Sequence, residues 1–181
     1  MPDNGADDSK GHKWHILDPK FKRGMLGHYV AQTAIATAFV FALLVVLHGL
    51  GQLVIVAALG SSAFVVFAMP KRDNSNPRYV IGGHFFCFMT GTSLRLLTHD
   101  WLFGYLDVSP AVEDIIACSL AVGASLFVMV VTDTEHPPAA GTAVGTALAD
   151  FSPQVAISVI LGAAMLSLAR ILFRRWLKDL L

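Results

Sequence analysis

The sequence predicts an all-α protein built into a lipid bilayer, a small bundle of five to six transmembrane segments. Three observations carry that reading. Of 181 residues, 55% are hydrophobic and 14% charged, where a soluble domain carries about 25% charged residues. Mean hydropathy is +0.61. No Lys or Arg lies between Arg95 and Arg170, a gap common in translocated chain and rare on a soluble surface. The net charge of zero gives no reason to expect nucleic acid as a partner.

Residues 1–27 read as a polar tail on the cytoplasmic side, with Lys10, Lys13, Lys20, Lys22 and Arg23. The tail lacks a short apolar core followed by a small-residue cleavage site, so no removable signal peptide is expected. Its stretch Trp14–Leu26 mixes aromatic and aliphatic residues with lysines and suits either the headgroup layer or a loose tail. Residues 28–178 form the membrane domain. Tyr29–Leu50, Gln52–Met69, Val80–Leu97, Val112–Val131 and Gln154–Phe173 approach the ~20 apolar residues that cross the hydrocarbon core. His136–Ala149 is apolar and rich in small residues but only about fourteen long.

Basic residues collect in cytoplasmic loops. With the tail inside, the loop bearing Lys71, Arg72 and Arg78 falls inside after two crossings. The loop Thr98–Glu113, with Asp100, Asp107 and Glu113 but no basic residue, falls outside. Arg170, Arg174, Arg175 and Lys178 place the C-terminal end inside, which needs six crossings. His136–Ala149 is therefore expected to cross as a short or broken helix, in a multi-pass protein of the cell (inner) membrane with both ends cytoplasmic.

Six crossings divide into opposed halves of three. Gly60-Ser61-Ser62-Ala63 interrupts the second segment and His136-Pro137-Pro138-Ala139 opens the fifth. Val80-Ile81-Gly82-Gly83 and Ile160-Leu161-Gly162-Ala163 are matching small-residue sites in the third and sixth. Corresponding breaks of this kind point to a 3+3 inverted repeat with two broken or short half-helices. Small residues are also common at any membrane helix contact, which is the competing explanation.

The segment Thr132-Asp133-Thr134-Glu135-His136-Pro137-Pro138 carries most of the chemistry. Paired prolines fit the first turn of a helix, here running through Ala139, Ala140 and Thr142. A helix start offers free amides and a positive dipole end to an anion; the plainer alternative is a loop entering a helix with its charges in water. If Gly60 bends the second segment, Ser61 and Ser62 cap a half-helix from Ala63, and two helix starts face each other near the midplane; the alternative is packing through small residues. His84 is a gate or proton carrier, or else an interfacial histidine. Asp133, Glu135, Asn76 and Arg78 are assigned gating or proton-linked roles. Arg95 and Arg170 are expected to snorkel to the headgroups, with Arg95 an alternative anion attractor.

Cys87 and Cys118 have neither disulfide nor zinc spacing and read as small packing residues. Asp133, Glu135 and His136 are too close in sequence to supply a coordination shell, so no metal and no cofactor is expected. No GxSxG, Walker A or HExxH pattern occurs, so no enzyme is expected.

Gly60-Ser61-Ser62-Ala63-Phe64, Met69-Pro70, Asn76-Pro77-Arg78-Tyr79-Val80-Ile81-Gly82-Gly83-His84 and His136-Pro137-Pro138 together resemble the HPP family of integral membrane proteins, from about residue 30 to 178. The family is usually described as four-helix membrane proteins, fewer crossings than counted above. Some chloroplast and cyanobacterial members are nitrite transporters. The resemblance therefore implies a permease for a small inorganic anion such as nitrite. Many members carry an Arg shortly before His-Pro-Pro, where this sequence has Asp133 and Glu135. The reading is a transporter embedded in the lipid bilayer and assembled as a homo-oligomer, with a non-transporting sensor or partner-binding module as the alternative.

Overall fold

The computed structural model describes residues 23–48, 53–102 and 108–180. Six α-helices follow in order: α1 (Leu26–Val46), α2 (Leu53–Ala68), α3 (Pro77–Leu96), α4 (Pro110–Thr132), α5 (Ala140–Leu148) and α6 (Pro153–Phe173), with no strand among the described residues. The tail before residue 23, and with it the Trp14–Leu26 reading, lies almost wholly outside the described residues.

Proline sets three of the helix starts. Pro77, Pro110 and Pro153 occupy the first turn of α3, α4 and α6, where a missing N–H costs nothing. Ser152 completes the last of these by accepting a hydrogen bond from the Val155 N–H at 3.3 Å. Four helices, α1, α3, α4 and α6, are long and apolar enough to cross a membrane. Helix α2 has 16 residues, about 24 Å of rise, against a hydrocarbon core of about 30 Å. Helix α5 has nine.

Cross-links at the helix ends establish direction. At one end the Gln32 side chain donates to the carbonyls of Phe67 and Lys178 and accepts from the Lys178 N–H. Arg170 Nε donates to the Pro70 carbonyl at 3.1 Å and to Ser75 Oγ at 3.0 Å, and Arg78 pairs with Asp133 at 3.0 Å. At the opposite end Arg95 pairs with Asp114 at 3.1 Å and Asp150 at 3.5 Å. The start of α1, both ends of the α2–α3 turn, the end of α4, the entry to α5 and the end of α6 thus share one end. Helix α5 runs from that end to the other, antiparallel to α4, so all six helices alternate in direction. Lys71, Arg72, Arg78, Arg174, Arg175 and Lys178 gather at the shared end, hereafter the basic end.

A nine-residue helix can join these two ends because protein, not lipid, surrounds it. Thr142, Ala143, Gly145, Thr146 and Ala147 are buried, and irregular backbone at membrane depth is tolerated where protein covers it. Glycine provides the room. A Cβ on Gly141 would lie 2.9 Å from the Ala58 Cβ, and one on Gly145 2.9 Å from Ile55 Cγ1; without them α2 and α5 meet backbone to backbone. The apolar surface that remains, including Phe41, Ile115, Phe127 and Ile160, faces outward as a lipid-embedded bundle requires.

Three expectations are corrected. Helix α2 continues unbroken through Gly60–Ala63, so it is short but not broken. In α2, Ser62 Oγ lies 3.0 Å from the Ala58 carbonyl one turn back, so its hydroxyl can turn to that carbonyl without opening the ladder. Both halves keep the order long, short, long, yet the matching break is absent and no internal repeat is established. Arg170 does not snorkel: it is only 8% exposed and points inward to hold the α2–α3 turn. Arg95 is held by two carboxylates rather than left free.

Candidate functional site

The sequence Thr-Asp-Thr-Glu-His-Pro-Pro shapes the site locally. Helix α4 ends as the Thr134 N–H bonds back to the Met129 carbonyl at 3.0 Å, with Asp133 in the left-handed region at φ 53°. Closures of this kind usually take glycine; an Asp tolerates them better than most side chains. The Asp133 carboxylate accepts from Tyr79 Oη at 2.9 Å and faces Arg78. Gly82 and Gly83 of α3 let this connection lie directly on the helix. A Cβ on Gly83 would come within 2.7 Å of the His136 Cβ, and one on Gly82 within 2.7 Å of Thr134 Cγ2.

This packing drives His136 into the bundle. His136 Nε2 lies 2.9 Å from Ser62 Oγ of α2. The same oxygen lies 2.8 Å from His84 Nε2 of α3. His84 Nδ1 lies 2.7 Å from Thr142 Oγ1 of α5, and His136 Nδ1 lies 2.7 Å from the Asn74 carbonyl in the α2–α3 turn. The order is Thr142, His84, Ser62, His136, Asn74. Ser62, His84, His136 and Thr142 are all 0% exposed, and the two rings are 5.4 Å apart between centroids. Such groups inside an apolar bundle cost several kcal/mol unless partnered; here each nitrogen has a partner.

The remaining predicted residues separate. Ser61 is exposed on the outside of α2, Gly60 is half-buried and Ala63 buried. Gly60 and Ala63 line a groove of about 420 Å³ between α1 and α2, beside Gln32 and Phe67, not the histidine chain. Pro137 is exposed, Pro138 half-buried, and Ala139 packs with Cys87 and Ala143. Both cysteines are free. Asn76 starts α3 through its carbonyl, which accepts from Tyr79 and Val80 N–H at 3.0 Å each.

The amides expected to receive a solute are occupied. The Ala139 N–H donates to the His136 carbonyl at 2.8 Å, and the Ala140 N–H to the Pro137 and Pro138 carbonyls. The prolines have no N–H, so the first turn has no spare donor, which corrects the amide-based reading of this helix start. Side chains are the polar groups that meet inside the bundle.

Ion pairs close both ends. Arg78, Asp133 and Tyr79 join α3 to the α4–α5 connection at the basic end. Arg95, Asp114 and Asp150 join α3, α4 and the exit of α5 at the other, where His99 Nδ1 also meets Glu113 Oε1 at 2.7 Å. Arg78 and Asp133 are more than half exposed, with side chains at 63% and 60%, so their pair contributes at most about 1 kcal/mol and opens easily. Sequence reasoning missed Asn74, Tyr79, Asp114 and Asp150. Asp150 alone carried a signal, as a lone acid just after an apolar segment.

A family profile described as the HPP transmembrane region matches residues 21–179. A protein described as a transmembrane protein of Dictyostelium discoideum is 32% identical over 90 residues, which is 50% of this chain and 28% of that protein. The chain thus matches little more than a quarter of the length of that curated relative. No solved structure gives a significant match.

Proposed function

The chain belongs to the HPP transmembrane family, and from that premise we propose that it is a permease for a small solute, an inorganic anion such as nitrite. One observation carries the proposal: two fully buried histidines from different elements meet on a single serine hydroxyl inside a membrane bundle. Ionisable groups at membrane depth are expensive and belong by default to a transport or ligand path.

In this reading Ser62, His84, His136 and Thr142 bind the solute when the chain between them opens. Their O–H and N–H donors suit a small anion without a fixed positive charge. Of the acids beside His-Pro-Pro, which would repel an anion, Asp133 is turned outward to Arg78 and Tyr79. Gly60, Ser61, Ala63, Pro137, Pro138, Ala139 and Ala140 shape the surrounding helices, and Glu135 and Asn76 flank the entrance. The pairs Arg78–Asp133 and Arg95–Asp114–Asp150 act as gates on either side. The basic end faces the cytoplasm of the cell (inner) membrane, and several copies assemble as a homo-oligomer.

Purified full chain in liposomes should take up nitrite saturably, above protein-free vesicles. His136→Ala leaves the Asn74 carbonyl without its buried donor and takes one of the two rings from Ser62. Leaving one buried partner unsatisfied costs about 1–3 kcal/mol, so uptake should drop at least about fivefold. Uptake unchanged by His136→Ala rejects this site, and binding without flux favours a sensor module.

A further inference from the structure

The proton positions in the buried chain are determined by its ends. The Asn74 carbonyl only accepts, so His136 Nδ1 must carry hydrogen and donate to it. In a neutral ring His136 Nε2 then accepts, and the Ser62 hydroxyl must donate to it. A serine has one hydrogen, so His84 Nε2 must donate to Ser62 Oγ, and His84 Nδ1 must accept from Thr142. This is the one arrangement with two neutral rings that makes all four bonds. Every donor points towards Asn74, and the two histidines are opposite tautomers.

The same geometry holds one extra proton without losing a ring contact. If His136 Nε2 gains hydrogen it donates to Ser62 Oγ, which now accepts from both rings. The displaced serine hydrogen turns to the Ala58 carbonyl at 3.0 Å. A second proton would have to occupy His84 Nδ1, turn the Thr142 hydroxyl from donor to acceptor, and place two cations with ring centroids 5.4 Å apart.

We propose that Ser62, His84 and His136 form a one-proton site, with the proton held on His136 and the Ser62 hydroxyl as its switch, and that solute passage is coupled to this proton. The coupling rests on the permease reading; the proton site does not. His136 is 0% exposed, so the proton enters and leaves only when the chain opens to water at the basic end, beside Glu135. The ionisable groups on the surrounding elements are few. Helix α2 and helix α5 have none. Helix α3 adds Arg78, Tyr79 and Cys87 near His84; the α4–α5 connection adds Asp133 and Glu135; the α2–α3 turn has Lys71, Arg72 and Asp73; α6 brings Arg170; the acids and Cys118 of α4 lie towards the far end. Arg78 is already paired with Asp133.

Nitrogen NMR of histidine-labelled full chain in lipid nanodiscs tests the site. At high pH His84 should be the Nε2–H form and His136 the Nδ1–H form. On acidification His136 alone should gain a proton while His84 keeps its form. Ser62→Thr should preserve both tautomers, and Ser62→Ala should lose the fixed tautomer of His84. Matching tautomers in wild type, or both rings titrating together, overturns the proton site. In proteoliposomes, each unit of imposed pH gradient should change nitrite accumulation about tenfold for one proton per anion. Nitrite flux indifferent to the gradient overturns the coupling alone. Assigned tautomers with no flux of any kind leave the proton site standing and reject the permease reading.

Discussion

At the residue scale the chain of contacts assigns different work to two histidines that look alike in sequence. His136 ends on a carbonyl and is therefore fixed as a donor there, whereas His84 ends on a hydroxyl that can turn. Thr142 tests this difference. Thr142→Val keeps the shape and removes the hydroxyl, leaving His84 Nδ1 buried without a donor, at a cost of about 1–3 kcal/mol; Thr142→Ser should retain stability. Thermal unfolding in detergent separates the two, and equal melting of both variants would show that the hydroxyl bond is not made. Gly83 tests the packing beneath His136. Its missing Cβ would lie 2.7 Å from the His136 Cβ and 3.2 Å from the Thr134 carbonyl. Overpacking of this kind costs about 1–3 kcal/mol, so Gly83→Ala should lower stability and reduce nitrite uptake, while Gly123→Ala, where nothing lies within 4 Å of the added methyl, should do neither.

At the scale of elements, helix starts were legible from sequence and helix continuity was not. Pro77, Pro110, Pro137 and Pro153 each stand at a first turn, because a ring with fixed φ and no N–H leaves few other places. Gly60-Ser61-Ser62 reads equally as a break or as a packing surface. Tertiary contacts choose the second: Ser62 has partners on three sides, and an interruption would take its hydroxyl away from both histidines. Helix α5 shows the converse. Its shortness is visible in the sequence, but its full passage between the ends depends on Ala58, Ile55 and Gly91 packing against its small residues.

For the whole molecule, the cross-links at Gln32, Arg170 and Arg95 place Lys178 and Asp150 at opposite ends. Both side chains are exposed. In a background without Cys87 and Cys118, Lys178→Cys should react with a membrane-impermeant thiol reagent only from the cytoplasmic side. Asp150→Cys should react only from the other side. Labelling of both from one side would remove α5 as a crossing and reduce the bundle to five. Six alternating helices also explain why the family's usual four-helix description and a count of six can share one sequence: four helices are long enough to be recognised by length and apolarity, and α2 and α5 fall short of that measure.

Composition by itself determined that this chain is an all-α protein of the lipid bilayer, since hydrophobic length is a property a linear chain displays. The motifs also marked Ser62, His84 and His136 as residues of interest. Only the folded bundle decided that these three touch, that Ala139 and Ala140 have no amide to spare, and that Asn74 orients the whole polar chain. Hydrogen bonds between residues 62, 84 and 136 depend on how α2, α3 and the α4–α5 connection approach one another, and that approach is set by close packing at glycines whose neighbours no local sequence pattern reveals.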